Sequence, residues 1–347
     1  EIVVLTEKNS EVDHLESKCD VPTLVISSVS ERSGKTIIAL GLALNFTGVL
    51  GFYKPIRENL IAIDGNLVEE DAYLMRNVLN LEEESLLSPF TYNLFKGIKA
   101  EDIICGLNRI CSDKQAVLLE GTKDISTGFI HDISSVQLAR KLDTGILLVT
   151  DIYSLDKVAM TKLLLEKLKV RLKGVVLNQS QDPGFENYMI KRGIEIVGSI
   201  PFLKELKALH AYEIAEELGG EVIVEGEDRL IEKVLIGAMT PESALKYFRR
   251  VPAKAVITGG DRADLQLAAL STSTSCLVLT GGLYPANHVI ARAQELGVSV
   301  ILVHLDTLTA AERVERLTAR IDPSDSRKIS LIKETVRQNL DTDALWR

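Results

Sequence analysis

The chain reads as an α/β protein with a parallel sheet and a second, smaller α/β domain behind it, and three features predict this. Short β-branched runs alternate with helical patterns over most of its 347 residues. That alternation implies crossover connections and a parallel sheet covered by helices on both faces. The first such run leads directly into Ser33-Gly34-Lys35-Thr36. At Leu218-Gly219-Gly220 the rhythm breaks and then resumes with a different charge texture, which marks a domain boundary. With 46% apolar residues, each domain has a core to bury.

In order, strands are expected at Thr23–Ser27, Val49–Lys54, Ala116–Glu120, Gly145–Thr150, Gly174–Asn178 and Glu195–Ile200. Helical patterns fall near Gly34–Phe46, Glu69–Leu79, Ala100–Cys111, Ile133–Leu142, Ser154–Leu168 and Phe185–Arg192. Continuous apolar runs such as GILLVT and KGVVLN suit strands buried on both faces. Beyond the break, strands are expected at Ala253–Thr258, Cys276–Thr280 and Ser299–His304, with helices at Arg262–Leu270, Pro285–Leu296 and Leu308–Leu317. The resulting division is an extension over 1–20, a first domain over 21–220 and a second over 221–347. A final helical stretch, Ser326–Asp341, belongs to the second and reads as packing or an oligomer contact.

Ligands of such sheets bind outside the carboxyl ends of the strands, so the residues just after strands carry the chemistry. Strand, Ser33-Gly34-Lys35-Thr36 and helix follow one another in the order a phosphate-binding loop needs. Backbone N–H groups at the helix N-terminus face an anion, Lys35 reaches the outer phosphates, and the Thr36 hydroxyl can sit on Mg²⁺. Ser30 and Ser33 share that loop as further nucleotide contacts. The usual first glycine of the motif is replaced by Val29, preceded by Ser28. An isolated Gly-Lys-Thr would be a weak signal, but here both flanks have the right period. The sheet is therefore of the P-loop NTPase type.

Glu120 ends AVLLE, where a buried carboxylate requires a cation or strong donors. Asp71, near a helix start, is a second carboxylate of the kind that holds Mg²⁺, with an ordinary helix N-terminal charge as the competing reading. Lys54, between a strand end and Pro55, can face an anionic substrate or the γ-phosphate, or it is a surface lysine. Asn178 ends VVLN, where its amide could meet a nucleobase edge or simply form a turn. In the second domain two strands end in Thr-Gly-Gly: Thr258-Gly259-Gly260-Asp261-Arg262 and Thr280-Gly281-Gly282. Glycines there permit positive φ or close approach to a ligand or a subunit interface, and tight turns without a ligand explain them equally well.

A net charge of −9 and a sequence pI near 5.3 argue against nucleic acid as a partner. No apolar run reaches the roughly 18 residues needed to span a bilayer, and the first twenty residues lack the order of a signal peptide. A cytoplasmic protein that does not engage membranes is expected. Cys19, Cys105, Cys111 and Cys276 form no metal or disulfide pattern and read as reduced; the five histidines form no ligand pair.

The run from VISSVSERSGKT through FYKPI, EEDAYLMRN, LLEGT, GILLVTD, GVVLNQ and GSIP resembles the dethiobiotin synthetase family over about the first 220 residues. The following AVITGGDRADLQLAALSTSTSCLVLTGGLYP resembles the DRTGG domain. Joined in this order, the two resemble the N-terminal region of long phosphotransacetylases. The resemblance implies that Gly34, Lys35 and Thr36 hold phosphates, that Thr36, Asp71 and Glu120 gather around Mg²⁺, and that Lys54 lies near a reacting carbamate and γ-phosphate. It also implies that Asn178 and Pro201 border the adenine, and it points to a homodimer. Where the family keeps small polar residues after its Lys-Pro pair, this chain has Ile56-Arg57-Glu58-Asn59, and its glycine-rich stretch becomes Thr122-Lys123-Asp124. Arg57 and Lys123 suit an anionic substrate better than an amine, which argues against biotin synthesis. With the sequence ending at Arg347, acetyl transfer is not expected.

Two readings follow. One is a Mg²⁺-dependent ATPase or ATP-driven ligase with a carboxylate or carbamate acceptor, in which Lys35 and Lys54 act on the γ-phosphoryl. The other is a non-catalytic module that senses ATP in the first domain and an unidentified small-molecule effector in the second.

Overall fold

The computed structural model describes residues 20–346 apart from 64, 96, 181, 318 and 319. The expected extension over 1–20 thus lies, Asp20 excepted, outside the described residues.

Six strands build the first sheet, and all but a half-buried strand at one edge carry apolar runs buried on both faces. They are β1 (Thr23–Ser28), β2 (Leu50–Tyr53), β7 (Ala116–Glu120), β8 (Ile146–Thr150), β9 (Leu172–Asn178) and β10 (Ile196–Ile200). Their order is β10-β9-β8-β1-β7-β2, with every pairing parallel. The chain leaves β1 in one direction and returns on its other side with β8, so the carboxyl end of β1 is the switch point where such sheets bind ligands. Between β2 and β7 the chain forms β3 (Ile56–Arg57), β4 (Leu60–Ile63), β5 (Asn66–Glu69) and β6 (Phe90–Thr91). The antiparallel pair β4–β5 delivers the start of α2 to the switch point. Helices α1 (Lys35–Asn45), α2 (Glu70–Leu79), α3 (Glu84–Leu87), α4 (Ala100–Ile110), α5 (Ser135–Lys141), α6 (Leu155–Leu168) and α7 (Pro183–Lys191) complete this region.

The chain divides into two units, residues 1–202 with 329–347, and residues 203–328. This division differs from the sequence-based one at two places. Helix α8 (Ala211–Leu218) buries Ile214, Ala215 and Leu218 in the core of the second unit, so the break comes before it. Gly219, in the left-handed conformation at φ 59°, is the C-cap of α8; the Gly-Gly pair ends a helix and not a domain. Most of α13 (Ser326–Asn339) belongs to the first unit. Its Lys333 carbonyl accepts from Asn45 Nδ2 (2.9 Å), and a Cβ on Gly41 of α1 would lie 2.2 Å from Val336 Cγ2. Packing of this kind, between residues nearly 300 apart in sequence, has no local signature.

The second unit is a five-stranded sheet, β11-β15-β14-β13-β12. Strands β12 (Lys233–Ile236), β13 (Lys254–Gly259), β14 (Thr274–Thr280) and β15 (Ser299–Leu302) run parallel, and β11 (Glu221–Val224) is antiparallel at one edge. Its remaining helices are α9 (Pro241–Phe248), α10 (Ala263–Leu270), α11 (Asn287–Leu296) and α12 (Thr307–Leu317). Among the described residues no helix is long and apolar enough to cross a membrane. Cys105 and Cys276 are free thiols, whereas Cys111 is disulfide-bonded, which corrects the expectation that all four cysteines are reduced.

Candidate functional site

The loop between β1 and α1 is stitched by its own hydroxyls. Ser28 Oγ donates to the Ser30 carbonyl (2.7 Å), and so does Ser33 Oγ (2.7 Å). Gly34 lies at φ 90°, and a Cβ there would sit 2.0 Å from Asn178 Nδ2. Glycine is required at this position on both counts. Asn178, buried at the end of β9, uses that amide nitrogen to donate to the Ser33 carbonyl (2.8 Å). It thus braces the loop, and its cross-strand partner Ile200 immediately precedes Pro201. No side chain caps α1, so none competes for the N–H groups of its first turn. Val29, in place of the usual glycine, is buried in the core of the first unit. Ser30 Oγ lies 3.2 Å from Ser154 Oγ and accepts from Lys157 Nζ (2.9 Å).

Lys35 Nζ donates to Ser28 Oγ (3.1 Å) and to the Lys123 carbonyl (2.8 Å). Thr36 Oγ1 donates to Glu120 Oε1 (3.3 Å). The three residues expected together, Thr36, Asp71 and Glu120, do converge, because α1, the start of α2 and the end of β7 meet at the switch point. At their centre stands Lys54. Its ammonium, 2% exposed, pairs with Asp71 and with Glu69 Oε1 (2.8 Å), and lies 3.7 Å from Glu58 Oε2 and 3.8 Å from Glu120 Oε1. Burial opposes its charge, yet the surrounding carboxylates hold its pKa well above the ordinary lysine range. The surface-lysine reading of Lys54 is thereby excluded.

The carboxylates divide by environment. Burial, reinforced by Asp71, pushes Glu120 up to about 8 against the pull of Lys54 and Lys35. Burial likewise raises Glu69 to about 7 and Glu58 above its usual range. Asp71 goes the other way: burial would raise it, but the Lys54 ion pair and the Thr36 hydroxyl keep it low. Glu120 Oε2 is buried with no hydrogen-bond partner among the described residues. Among the described residues no three acidic, histidine or cysteine side chains are arranged to hold a metal ion unaided. The donor set of Thr36, Asp71 and an unpartnered Glu120 oxygen nevertheless fits Mg²⁺, which takes few protein ligands and completes its shell with phosphate oxygens and water.

Glu58 and Glu69 belong to this cluster and were not singled out from the sequence. Glu69 is the N-cap of α2, accepting from the Ala72 amide (2.8 Å). The Asp-Gly pair within LIAIDGNLVE is a sequence signal for the hairpin that places it. Glu58, four residues after Lys54, accepts from the Lys123 amide (2.5 Å). Arg57, which suits an anionic substrate by its charge, has its guanidinium engaged by the Ser88 carbonyl (2.7 Å) and Glu84 Oε2 (3.0 Å). The Lys123 side chain is exposed beside Glu31 (3.6 Å).

In the second unit, the Thr-Gly-Gly turns lie side by side at the carboxyl ends of β13 and β14. Their amides are used internally: Gly260 donates to the Thr280 carbonyl (3.1 Å), Gly281 to Leu305 (2.9 Å) and Gly282 to Val303 (2.9 Å). Gln266 Nε2 spans the Gly259 and Gly260 carbonyls (2.9 and 3.0 Å), and Thr280 Oγ1 meets Thr307 Oγ1 (2.8 Å). Asp261 Oδ1 lies 2.4 Å from where a Cβ on Gly259 would sit, and Arg262 pairs with Asp264 (3.0 Å).

Comparison with known proteins matches this arrangement. A family model described as an AAA domain covers residues 22–210, more than half of the chain, and the DRTGG domain model covers 213–317. The chain belongs to this AAA-domain family. Its P-loop nucleotide-binding domain of the dethiobiotin synthetase type is followed by a DRTGG domain. The ATP-dependent dethiobiotin synthetase of Nitrosopumilus maritimus is 23% identical over 206 residues, covering 53% of this chain and 90% of that protein. The phosphate acetyltransferase of Pseudomonas aeruginosa is 24% identical over 370 residues, covering 93% of this chain but 51% of that protein. The chain thus spans about half the length of the phosphate acetyltransferases it matches. Among solved structures, the CBS and DRTGG domains of Clostridium perfringens pyrophosphatase with diadenosine tetraphosphate match 45% of this chain and 67% of theirs (TM-score 0.30, 23% identity). A nucleotide-binding protein from Archaeoglobus fulgidus in complex with ADP matches 53% and 83% (TM-score 0.35, 15% identity).

Proposed function

We propose that the AAA domain of this chain binds ATP with Mg²⁺ at the carboxyl edge of its first sheet and acts as an ATPase or ATP-driven ligase-like enzyme. The observation that carries this reading is Glu120, whose buried, unpartnered oxygen stands beside Thr36 and Asp71 with a pKa near 8. A carboxylate so placed is costly unless a cation joins it. Thr36, Asp71 and Glu120 would hold Mg²⁺, which when bound offsets charge on phosphate oxygens. Gly34 and the first amides of α1 cradle the phosphates, Lys35 moves from Ser28 and Lys123 onto the outer phosphates, and Lys54 neutralises charge developing on the γ-phosphoryl. Ser30 and Ser33 shape the loop, with Asn178 and Pro201 near the base. The acceptor in this reading is a carboxylate or carbamate.

A nucleotide-sensing role is the second reading, favoured by one observation: Arg57 is tied to Glu84 and Lys54 to its carboxylates, which leaves an acidic face toward any anionic acceptor. Phosphate release by the purified protein, abolished in Lys35→Ala, supports the enzyme. Tight ATP binding without turnover supports the sensor. Lys35→Ala is expected to weaken calorimetric ATP affinity by about a hundredfold, roughly 2.7 kcal/mol, while remaining folded. Unchanged affinity would reject both readings.

A further inference from the structure

The four carboxylates around Lys54 are not equivalent, because two of them have an oxygen engaged by a backbone amide. Glu69 Oε2 accepts from the Ala72 N–H (2.8 Å) and Glu58 Oε1 from the Lys123 N–H (2.5 Å). Asp71 and Glu120 accept instead from the side chains of Lys54 and Thr36. Those two are the acids placed for Mg²⁺. Once they serve a metal ion, the buried Lys54 ammonium keeps Glu69 at 2.8 Å and Glu58 at 3.7 Å. Glu69 is then its close counter-charge, and a buried cation stripped of its partner is strongly destabilised.

Glu69 is also fixed from several sides, as the last residue of β5 and the N-cap of α2. Its own N–H donates to Glu84 Oε1 (2.8 Å), whose second oxygen accepts from Arg57 (3.0 Å). The next amide, that of Glu70, donates to the Asn59 carbonyl (2.9 Å). Across the hairpin Glu69 pairs with Leu60 of β4. A carboxylate held in this way keeps its place when its neighbours exchange partners.

We infer that Glu69 is the positioning residue for Lys54, holding the ammonium beside the phosphate site so that it does not compete with the metal for Asp71 and Glu120. The inference rests on the reading that this site takes ATP with Mg²⁺. Capping α2 would not need the charge, since a glutamine oxygen accepts from the Ala72 amide equally well.

The test is the Mg²⁺ concentration that half-saturates ATP binding to the full chain, followed by calorimetry. Glu69→Gln spares the cap and leaves Lys54 to Asp71 and Glu120, so that concentration should rise about tenfold. In a Lys54→Met background the same substitution should change little, because the effect acts through the ammonium. Glu58→Gln removes an equal charge at 3.7 Å and should shift it far less. Should Glu69→Gln be unstable, Glu69→Asp keeps charge and cap but draws the carboxylate back, and a smaller rise is expected. No rise, equal rises in Glu69→Gln and Glu58→Gln, or a rise as large without Lys54 would overturn this role and leave ATP binding with Mg²⁺ standing. ATP binding to the unaltered protein that is indifferent to Mg²⁺ would instead remove that reading, and this role with it.

Discussion

The two sheets of this protein use glycine at the same topological place, the carboxyl end of a parallel strand, to opposite effect. Beside β1, Gly34 clears space for the Asn178 amide and starts a helix whose first turn carries no side-chain cap. Beside β13 and β14, Gly260 and Gly282 let two turns touch: a Cβ would lie 1.9 Å from the Leu283 carbonyl oxygen and 2.5 Å from His304 Nδ1. The first edge keeps buried charge in excess, four carboxylates around Lys54 and an oxygen of Glu120 without a donor. The second has its glycine amides paired within the fold, although Gln266 Oε1 beside them also lacks a partner among the described residues. Glycine at a strand end therefore signals a close approach, which a side-chain amide makes at the first edge and the Leu283 backbone and the His304 ring make at the second.

The comparison can be broken from the second edge. Gly260→Ala drives a methyl into backbone, and we expect roughly 3 kcal/mol of destabilisation in chemical denaturation. Gly281→Ala meets only Leu283 Cδ1 at 4.0 Å but sits at φ 82°, so its cost should be about 1 kcal/mol. Equal losses from the two variants would show that turn packing is not what Gly260 serves.

Charge at the first edge sharpens it further. Glu120 and Glu69 have folded pKa values of about 8 and 7, above their unfolded value, so the folded state binds more protons between these limits. Without metal or nucleotide, their contribution to stability is fully present at low pH and is lost as pH rises from about 5 to 8. Asp71, lowered by Lys54, acts in the opposite sense and only below that window. Glu120→Gln should flatten the fall; an unaltered slope in that variant would remove Glu120 as its source. The smallest effect is expected at Arg262, whose partner Asp264 is its own near neighbour on the surface. Arg262→Ala should leave the melting temperature and the sedimentation of the protein unchanged, and a change in oligomer size would restore an interface role to the Thr-Gly-Gly-Asp-Arg turn.

Much of the first edge was legible because its signals are local. A β-branched run, a Gly-Lys-Thr and a helical period are adjacent in sequence, and the carboxylate ending AVLLE stands out in an apolar strand. Glu58 and Glu69 were not, because a carboxylate in a polar segment looks like surface until a hairpin folds it beneath a lysine. The partner of Arg57 was hidden for the same reason: its cation stands alone in sequence and meets Glu84 only when α3 packs beside it.

By itself the sequence determined the alternation of strands and helices, the phosphate-binding loop and the pairing of two α/β regions, since periodicity and backbone chemistry act over a few residues. Tertiary structure alone decided that α8 opens the second unit, that the last helix returns to the first, and that four carboxylates share one ammonium. Those outcomes depend on which distant surfaces exclude water together, and burial is a property that no single stretch of chain possesses.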